Sequence, residues 1–468
     1  MTHAPAGARA ETLSATKRSL PAPICDALVG ALFLALASTL CAIVDWRYAI
    51  FRDAVDLGIF TQTIAGLGHG FSSTAEGGVS HLLVHWSPIV ATGWPFVRAF
   101  GPVGLEYFQA VLVAAIVFPI WGLARARFSP VPALALVGVA ALYPILWANG
   151  VGDFHEMAFV PLLSATLVYA LDRRRWSMSI VMALLLACTK EDQFVVLAAN
   201  GLLFAATARG DARGKRAGWA ISGLAIVMAF AYFGVVREAL NPHVPYAALR
   251  FFDWTGAPGG APGVLWGVLL PRVRYVAVIL VPLAFLPCLS RYGLFLIPGF
   301  VEILAAHQPV TIVPGAHYSA LLSGYALAGF VDGASRLHAS KPRFAKGLVA
   351  AAAAASISIA IFASPMEYWY YLYRRPNAHD ALLETTLRQQ PRQADVGAED
   401  EIFAHLGLDP NASIDFNGQR WFVYDRTHYS ARWHEVDEPR VRRALAGHAY
   451  VVTSDRDGIV VLKRSSQR

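Results

Sequence analysis

Ile24 to Val44 reads ICDALVGALFLALASTLCAIV, a run of residues whose single charge is Asp26. A helix needs about 20 mostly apolar residues to cross a bilayer, and this run is long enough. Further apolar runs follow near 104–124, 131–149, 156–171, 176–190, 192–208, 217–236, 274–290, 293–306, 318–335 and 347–363. Taken together they predict a polytopic α-helical membrane protein of about eleven spans. Pro88–Phe100 is apolar but short, and reads as a re-entrant or surface-lying helix or the start of a tilted span.

Composition agrees. Of the 468 residues 56% are hydrophobic and only 15% charged, well below the quarter or so of a soluble domain, which excludes both a soluble enzyme and a disordered chain. Cys25, Cys41, Cys188 and Cys288 all sit in or beside apolar runs, so they predict small buried thiols rather than a disulfide framework. The net charge of +7 comes from short loops between apolar runs, which points to membrane orientation and not to nucleic acid.

With a cytoplasmic N-terminus, the inner loops hold Lys17, Arg18, Arg125, Arg127, Arg173, Arg174, Arg175, Arg209, Arg213, Lys215, Arg216, Arg291, Arg336, Lys341, Arg343 and Lys346. The short outer loops at 150–155 and 307–317 hold no lysine or arginine. This is the positive-inside pattern. The same topology carries Asp53, Asp56, His81, His85, Asp153, His155, Glu156, Lys190, Glu191, Asp192, His307 and His317 to the outer helix ends, where ionisable groups are functional or paired.

Residues 1–23 are polar and rich in Ala, Ser and Pro, and read as a disordered cytoplasmic arm; no cleavage site follows the first apolar run, which is expected to stay attached. Residues 24–365 form the transmembrane domain, with a long first outer loop over 45–103. From 366 to 468 the chain holds 15 of its 32 acidic and 14 of its 39 basic residues, the composition of a small soluble domain. Helices are expected over Asp380–Gln390, Glu401–Leu406 and Arg440–Ala446, and strands over Ser413–Phe416, Trp421–Tyr424, Tyr450–Thr453 and Ile459–Lys463. The last two flank a turn at Asp455–Gly458, giving a small α/β domain that an odd span count places on the outer, periplasmic side.

Asp56 opens the run Asp56-Leu57-Gly58-Ile59-Phe60-Thr61-Gln62, which reads as the start of a helix lying on the membrane, and Asp53 precedes it by three. A carboxylate here suits proton acceptance from a hydroxyl or a divalent cation; the plain alternative is a helix cap. His81 and His85 have the i, i+4 spacing of a weak metal pair. Asp153, His155 and Glu156 share one outer turn, and Lys190, Glu191 and Asp192 another, where Lys190 either neutralises its neighbours or meets a phosphate. His317 and Tyr318 open a later span. The Pro/Gly-rich loop 237–273 reads as a lid or a plain connector.

In order, Asp56-Leu57-Gly58-Ile59-Phe60, His85-Trp86-Ser87-Pro88, Asp153-Phe154-His155-Glu156, Lys190-Glu191-Asp192-Gln193 and His317-Tyr318 resemble a bacterial family of predicted membrane proteins, domain of unknown function 2079. The resemblance covers roughly residues 25–465. That family is similar in turn to the GT-C glycosyltransferases, which include aminoarabinose lipid A transferases and protein O-mannosyltransferases. The resemblance implies a GT-C-like fold in the bacterial inner membrane, a polyprenyl-phosphate sugar donor, an outside-facing site and an essential acid in the first outer loop. Asp56 matches that acid, and Asp153 and Glu156 match a later acidic position more loosely. The chain lacks the relatives' adjacent Asp-Glu pair in the first loop, which leaves open whether Asp56 is base, metal ligand or both.

The expected activity is inverting transfer of a sugar to an envelope glycan, lipid or protein. Asp56 is the expected base. His85, Asp153, His155, Glu156, Glu191 and Tyr318 are expected to line the site, with Lys190 and His317 on the phosphate side. Magnesium or manganese is the cation expected if a metal serves, with Asp56 and Asp53 as candidate ligands. The alternatives are a transporter or flippase for a lipid-linked or small polar solute, which would bury charges at mid-helix, and a non-catalytic envelope assembly factor.

Overall fold

A computed structural model of the chain describes residues 20–241, 243–254, 263–362, 374–390, 395–428 and 433–465. Most of the N-terminal arm, with Lys17 and Arg18, lies outside the described residues, as does part of the Pro/Gly-rich loop at 255–262.

The chain is mostly helical. Helix α1 (Ala22–Ala49) is the opening apolar run, entered through Pro23 in its first turn, where a missing N–H costs nothing. Among the described residues five helices are long and apolar enough to cross a membrane: Ala22–Ala49, Val103–Arg125, Ala212–Leu240, Val264–Leu283 and Pro342–Phe362. A sixth arises if Pro130–Ala141 and Pro144–Val151, bent by 52°, count as one span. Several of the other apolar runs fold as helices within a few residues of the expected ranges, but Trp176–Ala187, Asp192–Thr207 and Leu296–Ala305 have 12, 16 and 10 residues, short of the roughly 20 that a crossing helix needs. Proline accounts for one break: Pro144 removes a backbone donor and turns Tyr143 out of the helical region. Pro88–Phe100 forms a 3-10 turn and a short helix.

The bundle packs around Ala320–Ser340, whose first fifteen residues, Ala320 to Ala334, are all buried. Small residues permit this. A Cβ on Gly324 would lie 2.0 Å from the Ser164 hydroxyl oxygen, and one on Gly201 would lie 2.6 Å from the Gly218 carbonyl. Backbones that approach this closely gain dispersion contacts where water supplies no driving force.

At one end of Ala320–Ser340, Arg127 binds Asp172 at 2.5 Å and Asp332 at 3.1 Å, and Arg336 joins Asp332 at 2.9 Å. Tyr292 donates to Asp172, and Ser290 to Asp332. These groups stand in or beside the loops that carry the positive-inside signal. The acidic and histidine motifs gather at the other end.

The C-terminal region forms a five-stranded sheet among the described residues: β1 (Val396–Ala398), β2 (Ser413–Ile414), β3 (Trp421–Asp425), β4 (Tyr450–Arg456) and β5 (Ile459–Arg464), in the order β2-β1-β3-β5-β4. β1 runs parallel to β2 and β3, and β5 pairs antiparallel with β3 and β4. The hairpin turns on Asp457 and Gly458, both at positive φ, the conformation that a two-residue hairpin loop favours. Helices occupy Ala378–Arg388, Asp400–Phe403 and Glu438–Ala446, close to the expected ranges. Strand β1 was missed, because three small residues carry no alternation. All four cysteines are free; Cys25 is buried, Cys41 and Cys188 are half-buried, and Cys288, expected to be buried, is exposed.

Candidate functional site

Helix α2 (Val55–Ala65) begins in the first loop after α1, with Asp56 in its first turn. Its cap residue, Ala54, has no side chain to satisfy the open backbone donors. Asp153 does so from far along the chain, accepting from Ala54 N at 3.1 Å and Leu57 N at 3.0 Å. Asp153 is carried there by the bent pair ending at Val151, so the proline break serves the site.

Asp53 and Asp56 do not share a face, because Asp53 precedes the helix. It belongs instead to a buried group around Arg47, which holds Asp53 at 2.6 Å, binds Glu106 and the Val151 carbonyl, and lies 3.7 Å from Asp153. Asp53 is therefore set apart from Asp56 as a metal ligand. Arg47 and Glu106 were not foreseen. A lone glutamate within the apolar run 104–124 was the available signal.

Asp56 faces His155 and His317. Each offers one ligand atom, and the three atoms lie within 4.8 Å of one another. The two imidazoles stack with centroids 3.5 Å apart and planes 8° from parallel. Burial, first of all, keeps both well below the ordinary histidine range, and for His155 the neighbouring His317 adds to it. The Met157 amide donates to His155 Nδ1 at 3.3 Å. His317 Nε2 is buried with no hydrogen-bond partner among the described residues. Burial, and then the Glu156 charge, raise the Asp56 carboxyl to about 6. These residues line a cleft of about 190 Å³ that also includes Gln109, Asn149 and Asp153.

The remaining motif residues ring this centre. Glu156 is buried between His155 Nδ1 at 3.1 Å and Lys190 Nζ at 3.4 Å. Lys190 thus pairs with Glu156 across the bundle, not with its neighbours Glu191 and Asp192, and stands 5.6 Å from the centre of the Tyr318 ring. Glu191 accepts from the Trp86 amide and the Tyr246 hydroxyl and binds His85 Nδ1, each at 2.8 Å. Tyr246 lies in the Pro/Gly-rich loop that reads as a lid or a connector, with no local signal for its bond to Glu191. His81 and His85 do not form a metal pair: the helix His81–Val84 ends before His85, and His81 binds Glu76 and Ser87 instead.

Residues 47–460 match a family model described as predicted membrane protein (DUF2079). The chain belongs to the DUF2079 family. A search of curated proteins found no match for this DUF2079 member. Among solved structures it is similar to ArnT from Cupriavidus metallidurans bound to undecaprenyl phosphate, at 13% identity and a TM-score of 0.53, covering 93% of this chain and 98% of that one. It is also similar to the arabinofuranosyltransferase AftD from Mycobacteria, at 11% identity and a TM-score of 0.51, covering 96% of this chain but 40% of that one. These neighbours are GT-C glycosyltransferases. At such identities the likeness is one of fold.

Proposed function

We propose that this chain is a GT-C-type glycosyltransferase that moves a sugar from a polyprenyl-phosphate donor to an envelope glycan, lipid or protein at the outer face of the bacterial inner membrane. The observation that carries this reading is the convergence of Asp56, His155, His317, Glu156 and Lys190 beside one cleft, in a fold shared with GT-C enzymes. In the proposed topology of about eleven spans, the N-terminus is cytoplasmic, while the cleft and the C-terminal α/β region face outward. A lipid donor then keeps its tail in the bilayer and brings its sugar to the rim.

The reaction is inverting. The acceptor hydroxyl oxygen bonds to the anomeric carbon as its proton passes to Asp56, whose raised pKa suits a base near neutral pH. The bond between that carbon and the phosphate oxygen breaks, and the polyprenyl phosphate leaves with the electron pair. Lys190 places positive charge on the phosphate side. Asp56, His155 and His317 would hold a divalent cation, and the unpartnered Nε2 of His317 fits that role. One carboxylate and two imidazoles suit manganese or zinc better than magnesium. Such an ion would supply Lewis acidity beside the departing phosphate.

The test is a transfer assay on purified protein in lipid, with labelled polyprenyl-phosphate sugars and an extract of envelope acceptors. Donor consumption that vanishes in Asp56→Ala supports the reading and names the sugar, and sensitivity to a chelator adds the metal. A folded wild type that turns over no donor, with Asp56→Ala still complementing a deletion strain, overturns it.

A further inference from the structure

Helix α2 has two working faces. Asp56 and Phe60, four residues apart, point toward the cleft, where the Phe60 ring meets His81, Phe154 and His155 at centroid distances of 5.2, 5.3 and 5.6 Å. Gly58, Thr61 and Gln62 form the other face, and all three are buried. What buries them is a stretch of the C-terminal region between β1 and β2.

The fit is close. A Cβ on Gly58 would stand 2.6 Å from two ring carbons of Phe403 and 3.1 Å from its carbonyl oxygen. A Cβ on Gly407 would stand 2.7 Å from the Thr61 Cβ. Phe403 is itself fully buried in the cluster that includes Phe51 and Leu383, so its ring has little room to yield. Gln62 Nε2 donates to the carbonyls of Asp409 and Ala412, each at 2.9 Å. Its Oε1 accepts from the Ser73 hydroxyl at 2.8 Å and the Thr74 amide at 3.0 Å. Beside the helix start, Arg52 binds both carboxylate oxygens of Glu401, at 3.0 and 3.2 Å.

We infer that the segment 399–412 is a clamp that positions Asp56, with Gly58 and Gln62 as positioning residues that act through α2 without touching substrate. The physical case is one of precision. Asp153 caps the first turn of α2, and Leu57, Phe60 and Ile64 seat one side of it in the bundle core; a helix seated on one side alone is free to lift away from it. The clamp seats the next two turns from the opposite side through a glycine contact and two backbone carbonyls. The C-terminal region thereby becomes part of the site, although none of its described residues lines the cleft. This inference rests on the glycosyltransferase reading for its consequence in turnover, but the clamp itself is open to measurement without turnover.

The test compares full-length wild type, Gly58→Ala, Phe403→Leu and the double variant in lipid nanodiscs. Two readouts are taken: amide hydrogen exchange of the peptide over 55–65, and transfer kinetics. Gly58→Ala is expected to speed exchange in that peptide while peptides around Arg127, Asp172 and Asp332 stay protected. It is expected to lower kcat about a hundredfold, the scale of an ångström's misplacement, with the donor KM within about twofold. The double variant restores room for the new methyl and is expected to recover both readouts. Gln62→Glu, which keeps the acceptor oxygen but loses both N–H donors, is expected to repeat the kcat effect. Unchanged exchange at 55–65 in Gly58→Ala, or no recovery in the double variant, overturns the clamp. A wild type inactive with every donor defeats the enzyme reading, and the exchange measurement still decides the clamp.

Discussion

Asp56 and Arg47 show how burial sets what a side chain does. Asp56 titrates near 6 because burial, and then the Glu156 charge, disfavour its ionised form. A base works only when ionised, so in chelated protein kcat/KM is expected to fall about tenfold per pH unit below that value. A bound cation would stabilise the carboxylate and move this limb to lower pH. A pH–rate profile with and without chelator distinguishes the two, and Asp56→Asn is expected to lower turnover by about 10²–10⁴. Arg47 is the opposite case, a buried cation among Asp53, Glu106 and Asp153. Arg47→Met strands the Asp53 and Glu106 carboxylates and is expected to cost about 3–5 kcal/mol in thermal unfolding, partly recovered when Asp53→Asn and Glu106→Gln are added. Equal stability of the single and triple variants would show that the group does not act as one unit.

Among the elements, α2 carries the most consequence for its length. It has eleven residues and no cap of its own, and it is held by Asp153, by the bundle core around Leu57, Phe60 and Ile64, and by the 399–412 segment. Asp153→Ala removes the remote cap and is expected to cost about 1 kcal/mol, read as faster amide exchange at Ala54–Leu57. Exchange that does not change there would mean that the remote cap does not hold the helix start. The sequence showed where α2 starts, because Asp56 precedes a plain helical run. It could not show that the cap comes from Asp153, since a hydrogen bond between residues 54 and 153 has no local signature. The i, i+4 spacing of His81 and His85 misled for the same reason: spacing implies a shared face only if the helix continues, and it stops at Val84.

For the whole molecule, two polar ends flank an apolar bundle, one bound by Arg127, Asp172, Asp332 and Arg336, the other by the cleft residues. The proposed orientation predicts that a cysteine replacing Ser413 reacts with an impermeant reagent on intact inner-membrane vesicles of periplasmic side out. One replacing Ala212 reacts only after permeabilisation. The reverse labelling would invert the topology and place the cleft on the cytoplasmic side.

Hydropathy, charge bias and the shift in composition after residue 365 were enough to reveal a membrane bundle, its two chemically distinct ends and a polar C-terminal region with a hairpin near Asp457. These are properties of average burial, which a linear pattern records. The same motifs also marked Asp56, Asp153, His155 and His317, the ionisable residues that line the cleft, because charges at apolar helix ends are rare without a reason. Partnership was another matter. That Lys190 meets Glu156 and not its neighbours, that Asp53 belongs to Arg47, and that His317 stacks on His155 follow from how the helices pack. An ion pair is decided by a few ångströms between residues far apart in the chain, and no periodicity of the sequence carries that distance.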